Sequence, residues 1–221
     1  MKTVMVIFAA AAALSAQVAE SANKTYQTAE QREGMLRNLA ASDRAQRLNG
    51  AAIVQALRVQ PGMTVADLGT GGGAMLPLFS AAVGSDGRVV AEDIFPDFLA
   101  RAKKENAQLA NVAYVLGTDR DAKLDAGSTD LAVTVDAYHH YDYPKEMLAS
   151  VERGLKPGGR FVIVDYYKRP GAMGTGPNAL EHIRLDRDDV VKEVESFGFK
   201  LVETVEHVPG KQYIAIFTAR R

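Results

Sequence analysis

The sequence predicts an α/β protein: a doubly wound, mostly parallel seven-stranded sheet with a C-terminal antiparallel hairpin and an N-terminal helical cap. Three observations point there. Short apolar runs alternate with helix-period segments between residues 64 and 166, the pattern of parallel strands joined by helical crossovers. A glycine-rich turn, Gly69-Thr70-Gly71-Gly72-Gly73, follows the first run. Near the end, FKLVETVEHV and QYIAIFTA are separated only by Pro209-Gly210-Lys211, which pairs them as a hairpin.

Taken in order, TAEQREGMLRNLAASDRAQRLNGAAIVQAL contains no proline and spaces Leu36, Leu39 and Ala40, then Ile53, Val54 and Leu57, at helical intervals. Two helices are expected, broken near Ser42-Asp43, where either side chain can cap the second. Pro61-Gly62 turns the chain into strand 64–68, helix 73–83, strand 88–93, helix 96–109 and strand 112–116. Strand 130–135, helix 144–155, the turn Lys156-Pro157-Gly158-Gly159 and strand 160–166 follow. A Gly/Pro-rich loop from Pro170 to Pro177 and a helix near 187–197 lead to the hairpin. The helical cap then covers 22–60 and the α/β domain 61–221.

At 221 residues the chain can bury one substantial core. Lys plus Arg number 26 against 27 Asp plus Glu, so no overall positive field attracts a nucleic-acid backbone, and no nucleic-acid partner is expected. The absence of cysteine excludes disulfides, thiolate metal sites and a cysteine nucleophile. MKTVMVIFAAAAALSAQVAESA places Lys2 before an apolar run from Val4 to Leu14 and then small and polar residues, the layout of a cleavable signal peptide over 1–21. The run is too short for a permanent anchor. Export to the periplasm is expected, with cleavage after Ser21 or after Ser15.

The glycine turn fits two patterns. Gly69, Gly71 and Ala74 satisfy G-x-G-x-x-G/A, the dinucleotide fingerprint, and VADLGTGGG also satisfies D-x-G-x-G-x-G. Asp67, two residues before the first glycine, would repel a pyrophosphate and welcome a cation. S-adenosylmethionine carries a sulfonium and an ammonium and no phosphate, so the acid favours that cofactor over NAD. Strand 88–93 ends in Asp93, at the spacing where an acid holds ribose hydroxyls. Neighbouring Glu92 is expected to point the other way along the strand. Thr118 and Asp119, after the third strand, are placed to meet an adenine amino group.

From about Pro61 to Ile216 these segments resemble class I S-adenosylmethionine-dependent methyltransferases. VADLGTGGG matches their first motif, VVAEDI the acidic second strand, GSTDLAVTVDAYHH the fourth strand and its exit, and LKPGG the turn before strand five. In finer detail the chain is similar to exported bacterial methyltransferases of unassigned substrate, with quinone-type C-methyltransferases also related. The resemblance implies a Rossmann-like fold and S-adenosyl-L-methionine as cofactor. It implies that Asp67 and the backbone of Gly69, Gly71 and Gly73 surround the methionine part, that Asp93 with Ile94 holds the ribose, that Thr118 and Asp119 border the adenine, and that Asp136 closes the pocket floor. Gly72-Gly73 stands where Thr-Gly is commoner.

Methyl transfer is an in-line displacement that needs positioning and water exclusion and no metal. An acceptor O–H, N–H or acidic C–H must still lose a proton, which suits a histidine. DAYHHYDYP sets Asp136, Tyr138, His139, His140 and Tyr141 past strand four, at the sheet edge where doubly wound folds bind ligands. His140 is the candidate base and His182 a second candidate; Tyr166, Tyr167 and the 170–177 loop are candidates for the acceptor side. A small-molecule acceptor fits best, because DAYH does not match the Asn/Asp-Pro-Pro-aromatic turn of amino-group DNA methyltransferases. Two other readings compete: an exported binder of S-adenosylmethionine or S-adenosylhomocysteine without turnover, and an NAD(P)-dependent oxidoreductase using Tyr141 and Lys145.

Overall fold

A computed structural model describes residues 17–176 and 179–220. Most of the expected signal peptide therefore lies outside the described residues, as does Pro177. Among the described residues four helices come first: α1 (Glu20–Asn23), α2 (Ala29–Leu39), α3 (Arg44–Arg47) and α4 (Gly50–Leu57). The α/β part follows as β1 (Thr64–Leu68), α5 (Leu76–Val83), β2 (Arg88–Asp93), α6 (Pro96–Glu105), β3 (Val112–Leu116) and β4 (Thr129–Val135). It ends with α7 (Pro144–Gly154), β5 (Leu155–Tyr166), α8 (Ala179–His182), α9 (Arg187–Ser196), β6 (Phe199–Val208) and β7 (Gln212–Ala219).

The seven strands form one sheet in the order β3-β2-β1-β4-β5-β7-β6. β1 to β5 run parallel, and β7 inserts antiparallel between β5 and β6. Side chains alternate between the two faces, and both faces are covered, which is why the central strands read as mostly apolar runs. On one face Ala66, Leu68, Phe161, Ile163 and Phe217 pack under Leu148 and Val151 of α7 and Val190 and Val194 of α9. On the other, Val65, Val89, Val133, Val162 and Ile216 pack under Ile53 and Leu57 of α4 and Phe79 and Val83 of α5.

The strands fall where the apolar runs place them, and the differences lie at helix ends. Helix α5 starts at Leu76, three residues after the expected 73, because Gly73 takes a positive φ of 78°. Helix α6 stops at Glu105, where Asn106 turns its carboxamide onto the carbonyls of Ala102 and Gly73. The turn at Lys156–Gly159 forms the irregular start of β5, as a register shift between Thr129 and Leu131 of β4. The cap also departs from two helices. Asn49 adopts a left-handed φ of 51° and separates α3 from α4. Asp43 precedes α3 but makes no capping hydrogen bond and instead pairs with Arg47 at 3.2 Å. The cap residue with full geometry is Thr28, which forms a capping box with Gln31 at the start of α2.

Candidate active site

Strands β1, β2 and β4 deliver their C-terminal ends to one edge of the sheet, and a cavity of about 380 Å³ opens there. Its lining includes Asp67, Gly69, Gly71, Asp93, Ile94, Asp119, Asp136 and His140. The sequence therefore brings eight of its ten candidate residues to one place. Gly73 and Thr118 do not reach the lining. A Cβ on Gly73 would meet Asn106, Leu76 and Ala102, so this glycine serves the packing of the loop against α6. The Thr118 hydroxyl accepts from the amides of Arg120 and Asp121 and closes a tight turn.

The glycine turn is held from both sides. The Gly69 and Thr70 amides donate to the Glu92 carbonyl, and the Gly71 amide donates to Asp93 Oδ2 at 2.9 Å. A Cβ on Gly72 would lie 2.6 Å from the backbone of Ala40, so only glycine lets the end of α2 lie on the loop.

Four carboxyls surround this turn almost without cations. Burial pushes Asp67 up to about 7 despite a 2.7 Å hydrogen bond from the Thr70 hydroxyl, with the charge of Asp93 adding to the rise. Burial likewise raises Asp93 to about 6, against the amide bonds from Phe95 and Gly71. Glu92 is pushed well above the carboxylate range by burial and by Asp93. Contrary to the strand-alternation expectation, Glu92 borders the cavity: its Oε2 accepts from Gly69 N at 3.3 Å, and its Oε1 is buried without a hydrogen-bond partner among the described residues. Asp136 rises to about 6 by burial, opposed by the Arg44 guanidinium at 2.8 Å. Gln212 donates to its other oxygen.

His140 faces the cavity from a 3₁₀ turn, Tyr138–His140, that leaves β4. Asn23 fixes its ring. The Asn23 carboxamide nitrogen donates to the His140 carbonyl and to Asp142, so its oxygen must accept from His140 Nδ1 at 2.8 Å. Nδ1 therefore carries the proton, and Nε2 keeps a lone pair. Burial and the neighbouring His139 and His182 hold the His140 pKa well below the usual imidazole value. His139 is buried and bonded through Nδ1 to Asp165 Oδ1 at 2.7 Å. His182 lies over both rings, with centroids 5.0 Å from each. Tyr166 and Tyr167 lie outside the lining, and Tyr167 packs on Tyr213.

The roof comes from the cap. Tyr26 sets its ring edge-on to His140 at 4.9 Å and stacks on Phe95 at 6.0 Å. Arg32 pairs with Asp97 at 2.7 Å. Sequence reasoning missed Asn23, Tyr26 and Arg44, each of which meets its partner only through tertiary contact.

Comparison with known proteins agrees with this geometry. Residues 66–163 match the family model described as a methyltransferase domain. These residues form a methyltransferase domain, and in fold and motifs the chain resembles the class I S-adenosylmethionine-dependent methyltransferases. It is 35% identical over 118 residues to the ribosomal RNA large subunit methyltransferase E of Pseudomonas fluorescens, covering 48% of this chain and 55% of that protein. It is 30% identical over 113 residues to the ubiquinone/menaquinone biosynthesis C-methyltransferase of Idiomarina loihiensis, covering 50% and 45%. The chain thus spans about half the length of these curated relatives. Among solved structures, a SAM-dependent methyltransferase from Aquifex aeolicus shares the fold with a TM-score of 0.75 at 23% identity, over 83% of this chain and 96% of that one.

Proposed function

We propose that the protein transfers the methyl group of S-adenosyl-L-methionine to a small-molecule acceptor. The observation that carries this reading is a glycine turn surrounded by buried carboxyls, with Asp67 raised to about 7 and Asp93 to about 6. Such a site repels phosphates and is completed by a ligand that brings positive charge and a ribose. The oxidoreductase reading loses support because α7 begins at Pro144, which leaves Tyr141 off the helix that carries Lys145. A cavity of about 380 Å³ suits a small acceptor. His140 Nε2, kept free by the Asn23 bond to Nδ1, would take the acceptor's proton as the methyl arrives.

Calorimetry should show S-adenosylhomocysteine binding and no NAD binding. Asp67→Ala and Asp93→Ala should each weaken it by about 1–3 kcal/mol. A cationic ligand favours ionised Asp67, so binding should release protons. Affinity should rise between pH 6 and pH 8 and level off above, by at most about tenfold per pH unit for one proton. NAD binding in place of the homocysteine nucleoside would refute the cofactor assignment. Because three relatives bear the name of a ribosomal RNA methyltransferase, the activity screen includes ribosomal RNA beside small acceptors; methyl incorporation into RNA alone would overturn the acceptor class.

The proposal extends to export. The Val18 and Ala19 amides and the Gln17 side chain all donate to Asp142, so cleavage after Ser15 would preserve α1 and its seat on the site, whereas cleavage after Ser21 would divide it. N-terminal sequencing from the native host should give a start at Ala16 in a periplasmic fraction. Intact Met1 from the cytosol would overturn export.

A further inference from the structure

We propose that His139, His140 and His182 form a binding site for one divalent transition-metal ion of the zinc class, with a coordination position left open toward the methyl-transfer cavity. The three ring centroids are 4.2, 5.0 and 5.0 Å apart. One ring nitrogen from each lies within 4.8 Å of the others. A tetrahedral ion with bonds of about 2.0–2.1 Å needs its nitrogens about 3.4 Å apart, so small ring rotations close the set. His182, at the end of the four-residue α8, is the ligand with most room to approach: it is half-buried and its ring makes no hydrogen bond among the described residues.

The surroundings of the rings argue for more than aromatic packing. His139 Nδ1 is bonded to the buried Asp165 carboxylate and His140 Nδ1 to the Asn23 carboxamide. Both bonds leave Nε2 as the ring nitrogen available to an ion, and a carboxylate behind a ligating imidazole is the usual support of a metal site. Asp165 is itself fixed, accepting the amides of His139 and Tyr166. Three neutral imidazoles suit zinc, copper, nickel or iron(II) over calcium or magnesium, which take oxygen ligands. Three protein ligands leave the fourth position for water or an ionisable group. His140 is the ligand that faces the cavity, so that position lies beside the methyl acceptor. The His140 Nε2 lone pair serves either the ion or the acceptor's proton, and a loaded site would pass deprotonation to the ion, which lowers the pKa of what it binds.

The inference stands on the histidines and not on methyl transfer, and binding is read directly. The full chain, bearing no polyhistidine tag and stripped with chelator, is titrated with Zn²⁺ by calorimetry and with Co²⁺ by visible absorption. One ion per chain is expected, with the intense visible bands of tetrahedral cobalt. Asp165→Asn should weaken binding by about 10–100-fold, and His182→Gln by at least as much. His207→Gln should bind as the wild type, since His207 is bonded to the Leu48 carbonyl, away from the cluster. Substoichiometric binding, a His182→Gln variant with unchanged affinity, or an equal loss in His207→Gln would each overturn the site. Failure of metal binding with methyl transfer intact would remove the site and leave the proposed function. One ion per chain without S-adenosylhomocysteine binding would do the opposite.

Discussion

A His140→Gln variant is expected to keep S-adenosylhomocysteine affinity within a few-fold while turnover with a true acceptor falls by roughly 10²–10⁴, the range of a lost general base. The substitution retains a side chain able to donate to the Asn23 oxygen, which now receives His140 Nδ1–H at 2.8 Å, and removes the lone pair that faces the cavity. The proposed cofactor contacts lie elsewhere, on the glycine turn and the ends of β1 and β2, so binding and turnover should separate. His182→Gln is the informative partner. A metal-free base mechanism leaves that variant active, whereas a three-histidine ion disables both. Unchanged turnover in His140→Gln would remove this histidine from the chemistry and leave positioning alone to drive the transfer. Joint loss of cofactor affinity and activity would mark a structural histidine.

The sheet was legible because its strands are central and parallel. Both faces are covered, so runs such as Val89–Ala91 and Phe161–Val164 are apolar without alternation and follow glycine turns. The loop and its acids were legible for a similar reason: the end of a strand fixes where Asp67, Asp93 and Asp136 must emerge. The roof was not. Asn23 meets His140 across 117 residues and Arg44 meets Asp136 across 92, pairings that leave no local pattern in either segment. Gly73 and Thr118 stay off the cavity lining, each for a local reason. Motif spacing puts them beside ligand-facing neighbours, but a positive φ turns Gly73 toward α6 and a local hydroxyl turn closes Thr118 on itself. Glu92 escaped the alternation rule because, at the strand end, the glycine turn folds back over it and offers the Gly69 amide.

The roof itself is open to test through Arg44. Its guanidinium lies 2.8 Å from Asp136 Oδ2, with side-chain exposures of 17% and 6%. Arg44→Met keeps much of the stem and leaves a buried carboxyl with Gln212 and Tyr166 beside it but no guanidinium, a loss of about 3–5 kcal/mol when the acid stays charged. Asp136 can escape part of that cost by taking up a proton, so the loss must depend on pH. Its folded pKa, about 6 with Arg44 in place, exceeds the unfolded value near 3.9. The protonated form is thus already favoured by folding, and removing the cation raises the folded pKa further. At pH 5 both proteins fold with Asp136 largely protonated, and their stabilities should be close. At pH 8 the wild type holds an ion pair while the variant must bury a bare carboxylate or bind a proton against the pH, so the gap should be widest there. Denaturant unfolding at the two pH values measures it. Adding Asp136→Asn to Arg44→Met should recover most of the loss at pH 8, since asparagine tolerates the left-handed φ of 52° at this position. An equal loss at pH 5 and pH 8 would assign the contribution of Arg44 to the packing of its stem, and the pair would no longer explain how the cap is held over the cavity.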